Sequence, residues 1–181
     1  MKFMLVLLRA VSIIGAMSVS TICVFATPAL AENGGCGPVA DAMMKLATTP
    51  RHSYTTDSNG GKTISGELIT TNDSMFIKVD GKWASRKYSP EGEKKDQQEA
   101  WQSTKATCQR VSDKTVSGVA TVVYNILNKT EDGTSSQKLW ISTSTGLPLR
   151  AEIDLDADDK ASTRHISMHY DYVNVQPPAG K

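Results

Sequence analysis

From His52 onward, apolar residues recur at every second position, so the chain reads as β-structure. Leu147, Leu149, Ala151, Ile153 and Leu155 share one parity, and Pro148, Arg150, Glu152 and Asp154 share the other. Ile166, Met168, Tyr170 and Tyr172 likewise oppose His165, Ser167, His169 and Asp171. Ile64 with Leu68, and Met75, Ile77 and Val79, make further apolar rows. In the longest stretch Val122, Tyr124 and Ile126 face one way and Val119, Val123 and Leu127 the other, which predicts a central strand covered on both faces. Asn59-Gly60, Asp80-Gly81 and Asp132-Gly133 tolerate the positive φ of tight hairpins. The pattern predicts strands near 52–58, 62–71, 74–79, 82–88, 105–112, 116–128, 136–143, 147–155 and 163–174, joined as an antiparallel meander.

Two stretches depart from this period. Gly37-Pro38 opens a short helix in which Val39, Met43 and Leu46 follow helical spacing, and Thr48-Thr49-Pro50 ends it. A polar stretch from Glu91 to Gln102 reads as a helix or ordered loop, with Ser89 as its cap, Pro90 as its first residue and Trp101 as its one large apolar side chain. Gln176-Pro177-Pro178 stops pairing after the last strand. The fold class is therefore mainly antiparallel β with one or two short helices (α+β), a large sheet whose single apolar face needs cover.

Composition narrows the setting. Residues 1–31 combine Lys2 and Arg9, an apolar run and Ala29-Leu30-Ala31, the form of a cleaved secretory signal peptide. A mature chain over 32–181 is one domain in size, with no membrane span after cleavage. It carries 18 Lys and Arg against 19 Asp and Glu, so no global basic bias attracts nucleic acid. A periplasmic or secreted location follows. Cys36 and Cys108 then meet an oxidising compartment, where a disulfide is the natural state and free thiols or a metal site are the alternatives.

Catalytic chemistry finds little support. His165 and His169 on one strand lie about 13 Å apart, too far to share one metal ion. Asp154-x-Asp156-x-Asp158 begins like a calcium loop, but Asp159 and His165 stand where Gly and Glu are required. No nucleophilic triad, phosphate loop, zinc spacing or cofactor motif is present. A non-enzymatic protein without metal or cofactor is expected.

Lys138-Leu-Trp-Ile141, then Thr145-Gly-Leu-Pro148, then Leu149-Arg-Ala-Glu-Ile153 resembles a recurring strand–turn–strand of the LolA/LolB-like periplasmic lipoprotein-carrier superfamily. The closing Tyr170-Asp-Tyr172 and Pro177 are similar to its last strand and stop. The wording is close over 138–155 and loose elsewhere, with Ser142 where the family often has Asp. The resemblance implies one domain over 32–181, a sheet curled into a half-barrel with helices on its concave face, and an acyl chain or other hydrophobic ligand bound there. No functional residue of the family is carried over. The expectation is an exported, non-catalytic binding protein for a hydrophobic small molecule or lipid. The expected lining is Ile77, Trp83, Val122, Tyr124, Leu149, Ile153, Met168 and Tyr170, with Val39, Met43 and Trp101 on covering elements. The alternative is an envelope protein–protein interaction module or inhibitor with no small ligand, using a sheet edge or the 82–102 region.

Overall fold

In the computed structural model, which describes residues 35–130, 133–155 and 164–179, the alternating stretches form nine antiparallel strands of one sheet. They are β1 (Arg51–Asn59), β2 (Lys62–Thr70), β3 (Ser74–Val79), β4 (Lys82–Lys87), β5 (Lys105–Val116), β6 (Val119–Thr130), β7 (Gly133–Ser142), β8 (Pro148–Leu155) and β9 (Arg164–Asp171). Two helices accompany them, α1 (Gly37–Thr48) and α2 (Pro90–Ser103). Spatial order is β4-β3-β2-β1-β9-β8-β7-β6-β5. The chain meanders outward to β4, crosses by α2 to the opposite edge at β5, and meanders back until β9 pairs with β1. The result is a curled, unclosed half-barrel whose edge strands β4 and β5, unpaired on their outer sides among the described residues, are linked in sequence by α2.

Turn chemistry sets the hairpins. Asp80 and Gly81, at φ 49° and 75°, link β3 to β4. Ser117 and Gly118, at φ 48° and 82°, link β5 to β6 in the same left-handed conformation. That second turn falls inside the strand expected over 116–128, so Val116 ends β5 and β6 begins only at Val119. Asp132 and residues 156–163, which hold most of the acidic run, lie outside the described residues.

Register separates two faces. One carries Leu68, Ile77, Ser53, Met168, Ala151, Leu139, Tyr124 and Ile126, which meet across neighbouring strands. α1 lies on this face: Val39, Ala42 and Leu46 form a core with Ala106, Ile126, Leu139, Ile141, Ala151 and Tyr170. Their i, i+3, i+7 spacing turns one stripe of α1 inward, while Asp41 and Lys45 stay exposed. Cys36 and Cys108 are joined, with Cα atoms 4.9 Å apart, tying the start of α1 to edge strand β5. At the other end, buried Arg51 donates from Nη1 to the carbonyls of Leu46 (2.7 Å) and Thr49 (3.3 Å). A cation placed there satisfies helix-end acceptors and opposes the negative end of the helix dipole.

α2 is a different kind of helix. Ser89 caps it by accepting from the Gly92 amide at 3.2 Å, and Pro90 fills the first turn. None of its residues is buried; it packs on α1, with Trp101 half-buried against the core.

The opposite, outer face is not uniformly wet. Asp171 accepts from the Val173 amide at 2.9 Å, and Asn174 takes φ 50°. This turns the chain back so that residues 173–179 share a cleft of about 370 Å³ with His52, Glu67, Ile69, Lys78 and Trp83. Val123 of β6 is buried on the outer face, but Val119 and Leu127 are 37% and 38% exposed. The expectation of cover along both sides of that strand holds only at its centre, because the helices cover the other face alone.

Burial gives Tyr170 and Tyr172 a measurable signature. Desolvation pushes the Tyr170 hydroxyl from 10.0 up to about 12, and raises Tyr172 further in the same direction. Both hydroxyls bind protons more tightly when folded, so stability is intact below pH 10 and is lost as pH rises through the folded-state value. For Tyr170 the rise corresponds to roughly 3 kcal/mol. We expect tyrosinate absorbance to show late-titrating groups that appear together with alkaline unfolding near pH 12. Ionisation of all five tyrosines near pH 10 in a folded chain would contradict the packing.

Candidate functional site

The helices cover only part of the inner face. Beyond the core, that face continues over β2, β3 and β4 and over the far ends of β8 and β9. Cross-strand partners there are Leu68 with Ile77, Asp57 with Ile64, and Asp57 with Ile166, which in turn meets Ile153. Apolar side chains thus recur on β3, β2, β9 and β8, about 19 Å from first to last at strand spacing, with Thr55 and Asp57 of β1 between the two halves of this apolar belt. It stays in contact with water: Ile64 is 69% exposed, Val79 55% and Ile77 38%, while Leu68, Ile153 and Ile166 are half-buried. Apolar side chains repeated on one face are ordinarily a core, and here no element among the described residues covers this portion.

Polar groups punctuate the belt. Arg164 grips Asp57 through Nε at 2.9 and 3.1 Å and through Nη2, and these hydrogen bonds hold the Asp57 carboxyl below the usual carboxylate range. Deeper in, the hydroxyls of Ser53 and Thr70 are buried, with no hydrogen-bond partner among the described residues. The α2 side toward the protein presents Glu93, Gln97 and Trp101 at helical spacing, Gln97 donating to Glu93 at 3.4 Å. No cluster of three metal-ligating side chains occurs among the described residues. No helix there is long and apolar enough to cross a membrane.

The residues expected to line a site divide by position. Val39 and Tyr170 lie inside the packed core, with Met43, Trp101, Tyr124 and Met168 half-buried around it. Val122 sits beside Ile141 on the inner face. Ile77 and Ile153 belong to the uncovered belt. Leu149 falls at an irregularity where Trp140 pairs with Arg150 and Ile141 with Pro148, so strict alternation does not fix its direction. Trp83 pairs with Lys78 on the outer face, opposite to Ile77, and lies beside the C-terminal segment. Ile64, Leu68, Val79 and Ile166 complete the belt. Their alternation was readable, but nothing in the sequence says which apolar residues the helices leave open.

No family model and no curated protein sequence matches this chain. Among solved structures it is similar to LprF from Mycobacterium bovis, at 13% identity and TM-score 0.43, over 78% of this chain and 96% of that one. It is also similar to the Mycobacterium tuberculosis lipoprotein LppX, at 12% identity and TM-score 0.44, over 77% and 97%. A third is the Pseudomonas aeruginosa MucA/MucB complex, at 12% identity and TM-score 0.45, where this chain covers 57% of its counterpart. These are similarities of outline, and none bears on what this chain binds.

Proposed function

We propose that the protein is an exported, non-catalytic binding protein for a hydrophobic ligand, a lipid or acyl chain, held on the inner face of the half-barrel. The observation that carries this reading is the belt of Ile64, Leu68, Ile77, Val79, Ile153 and Ile166, continuous with the core yet open to water. Covering such a surface stabilises a complex by about 25 cal/mol per Å² of apolar area removed from water. Helix α2, polar and unburied, packs mainly on α1 and reaches the core through Trp101, so it is the natural cover for a bound chain.

The test uses exposed residues, so folding and binding separate. A fluorescent fatty acid should bind the purified protein. The double variant Ile64→Thr, Ile77→Thr, which keeps β-branched residues and adds no charge beside Asp57, should bind at least about tenfold more weakly, or 1.4 kcal/mol. Its melting temperature should be nearly unchanged, because both side chains are exposed. Equal affinity in the variant would remove the belt from the site. A second reading, a protein-interaction module, rests on the edges at β4 and β5, unpaired among the described residues. It predicts no probe binding at all.

A further inference from the structure

The outer face carries a second, chemically opposite feature at β5–β8. Two rows of side chains cross these four strands in register. One is Thr107, Leu127, Ser136, Asp154; the other is Gln109, Asn125, Lys138, Glu152. They bound a cleft of about 490 Å³. Ile126 and Gln137, of the opposite parity, also line it and so reach it through their backbone, as the floor between the rows. The groove crosses about 14 Å of sheet and opens sideways at β5, an edge strand.

Both its carboxylates have hydrogen-bonding partners on the same face. Glu152 pairs with Arg150 at 2.5 Å and Asp154 with His165 at 2.7 Å. The Lys138 ammonium lies over the Trp140 ring, 5.9 Å from its centre. The side-chain amides of Gln109 and Asn125, exposed and paired across the strands, hydrogen-bond nothing among the described residues. At the β1–β3 end of this face the polar groups instead satisfy one another, His52 and Lys78 both reaching Glu67 at 2.8 Å.

We propose that this groove binds a short stretch of a neutral glycan. Sugar hydroxyls each donate and accept, and amides, hydroxyls, a carboxylate and an ammonium side by side offer both roles at close spacing. Leu127, 38% exposed between Thr107 and Ser136, supplies one apolar spot for the C–H face of a pyranose ring. A peptide strand fits poorly, because the groove runs across strands whose backbone groups are spent in the ladders. Nucleic acid would need an unanswered basic stripe. The proposal is independent of the hydrophobic-ligand reading, which concerns the opposite face.

Amide-resolved NMR titration tests it, with oligosaccharides of glucose (α-1,4 and β-1,4) and of N-acetylglucosamine as probes. At ligand concentrations up to about 10 mM, above the millimolar constants of weak sites, at least one should give saturable shifts centred on Thr107, Gln109, Asn125 and Lys138. The variant Gln109→Ala, Asn125→Ala should weaken that oligosaccharide at least tenfold while keeping the melting temperature and the fatty-acid affinity. No saturable shift with any oligosaccharide, or shifts confined to other residues, overturns the proposal. So does a peptide or detergent micelle that moves the groove residues when no sugar does.

Discussion

Replacing both disulfide cysteines, as Cys36→Ala with Cys108→Ala, is expected to lower the unfolding free energy by about 4 kcal/mol. The bridge closes a separation of 72 residues, and a loop of that length loses much conformational freedom in the unfolded chain. For a domain of this size the change corresponds to a melting temperature lower by on the order of 10 °C. The native state also feels the loss. Cys36 precedes the first turn of α1, α1 supplies Val39, Ala42 and Leu46 to the core, and α2 packs on α1. Calorimetry of the protein with and without reductant should reproduce the shift in the wild type and show none in the variant. Reductant-insensitive melting of the wild type would mean that the bridge does not form.

Leu139→Ala should be nearly as severe, at about 3 kcal/mol. Leu139 is fully buried on β7, between Tyr124 of β6 and Ala151 of β8 and beneath α1. Strands on both sides fix the backbone, so the space left by the lost methyl groups does not close easily. The matching control is Leu127→Ala on neighbouring β6, facing outward and 38% exposed. It should cost less than about 1 kcal/mol. Urea unfolding of the two variants measures the contrast. Equal losses would mean that the register assigned to β6 and β7 is wrong.

Much of this architecture was legible because a strand has only two faces. The rows Ile64–Leu68, Met75–Val79 and Ile166–Tyr170 each hold to a single face of the sheet. Asp80-Gly81 turns where its residue types require. Ser89 and Pro90 likewise start α2 as caps and first-turn prolines do. Less was legible where position depends on the third dimension. Trp83 is apolar and lies eight positions after Met75, yet a two-residue turn at Asp80-Gly81 sets it on the outer face. The irregularity near Leu149 interrupts an alternation that looks perfect as text. Arg51 stands just before the strand expected from His52, and its burial at the end of α1 depends on where that helix lies. Which part of the apolar face is core and which part is open depends on the same placement. The outer groove is built from ordinary polar residues, and only the register brings Gln109 beside Asn125 and Lys138.

The most direct test of the inner-face account is native mass spectrometry of the protein purified, without detergent, from its native cells. The account predicts a population heavier than the polypeptide by the mass of a lipid or fatty acid. That mass should be lost on organic extraction and regained on incubation with the extract. A polypeptide-only mass that stays unchanged after exposure to the extract would contradict it.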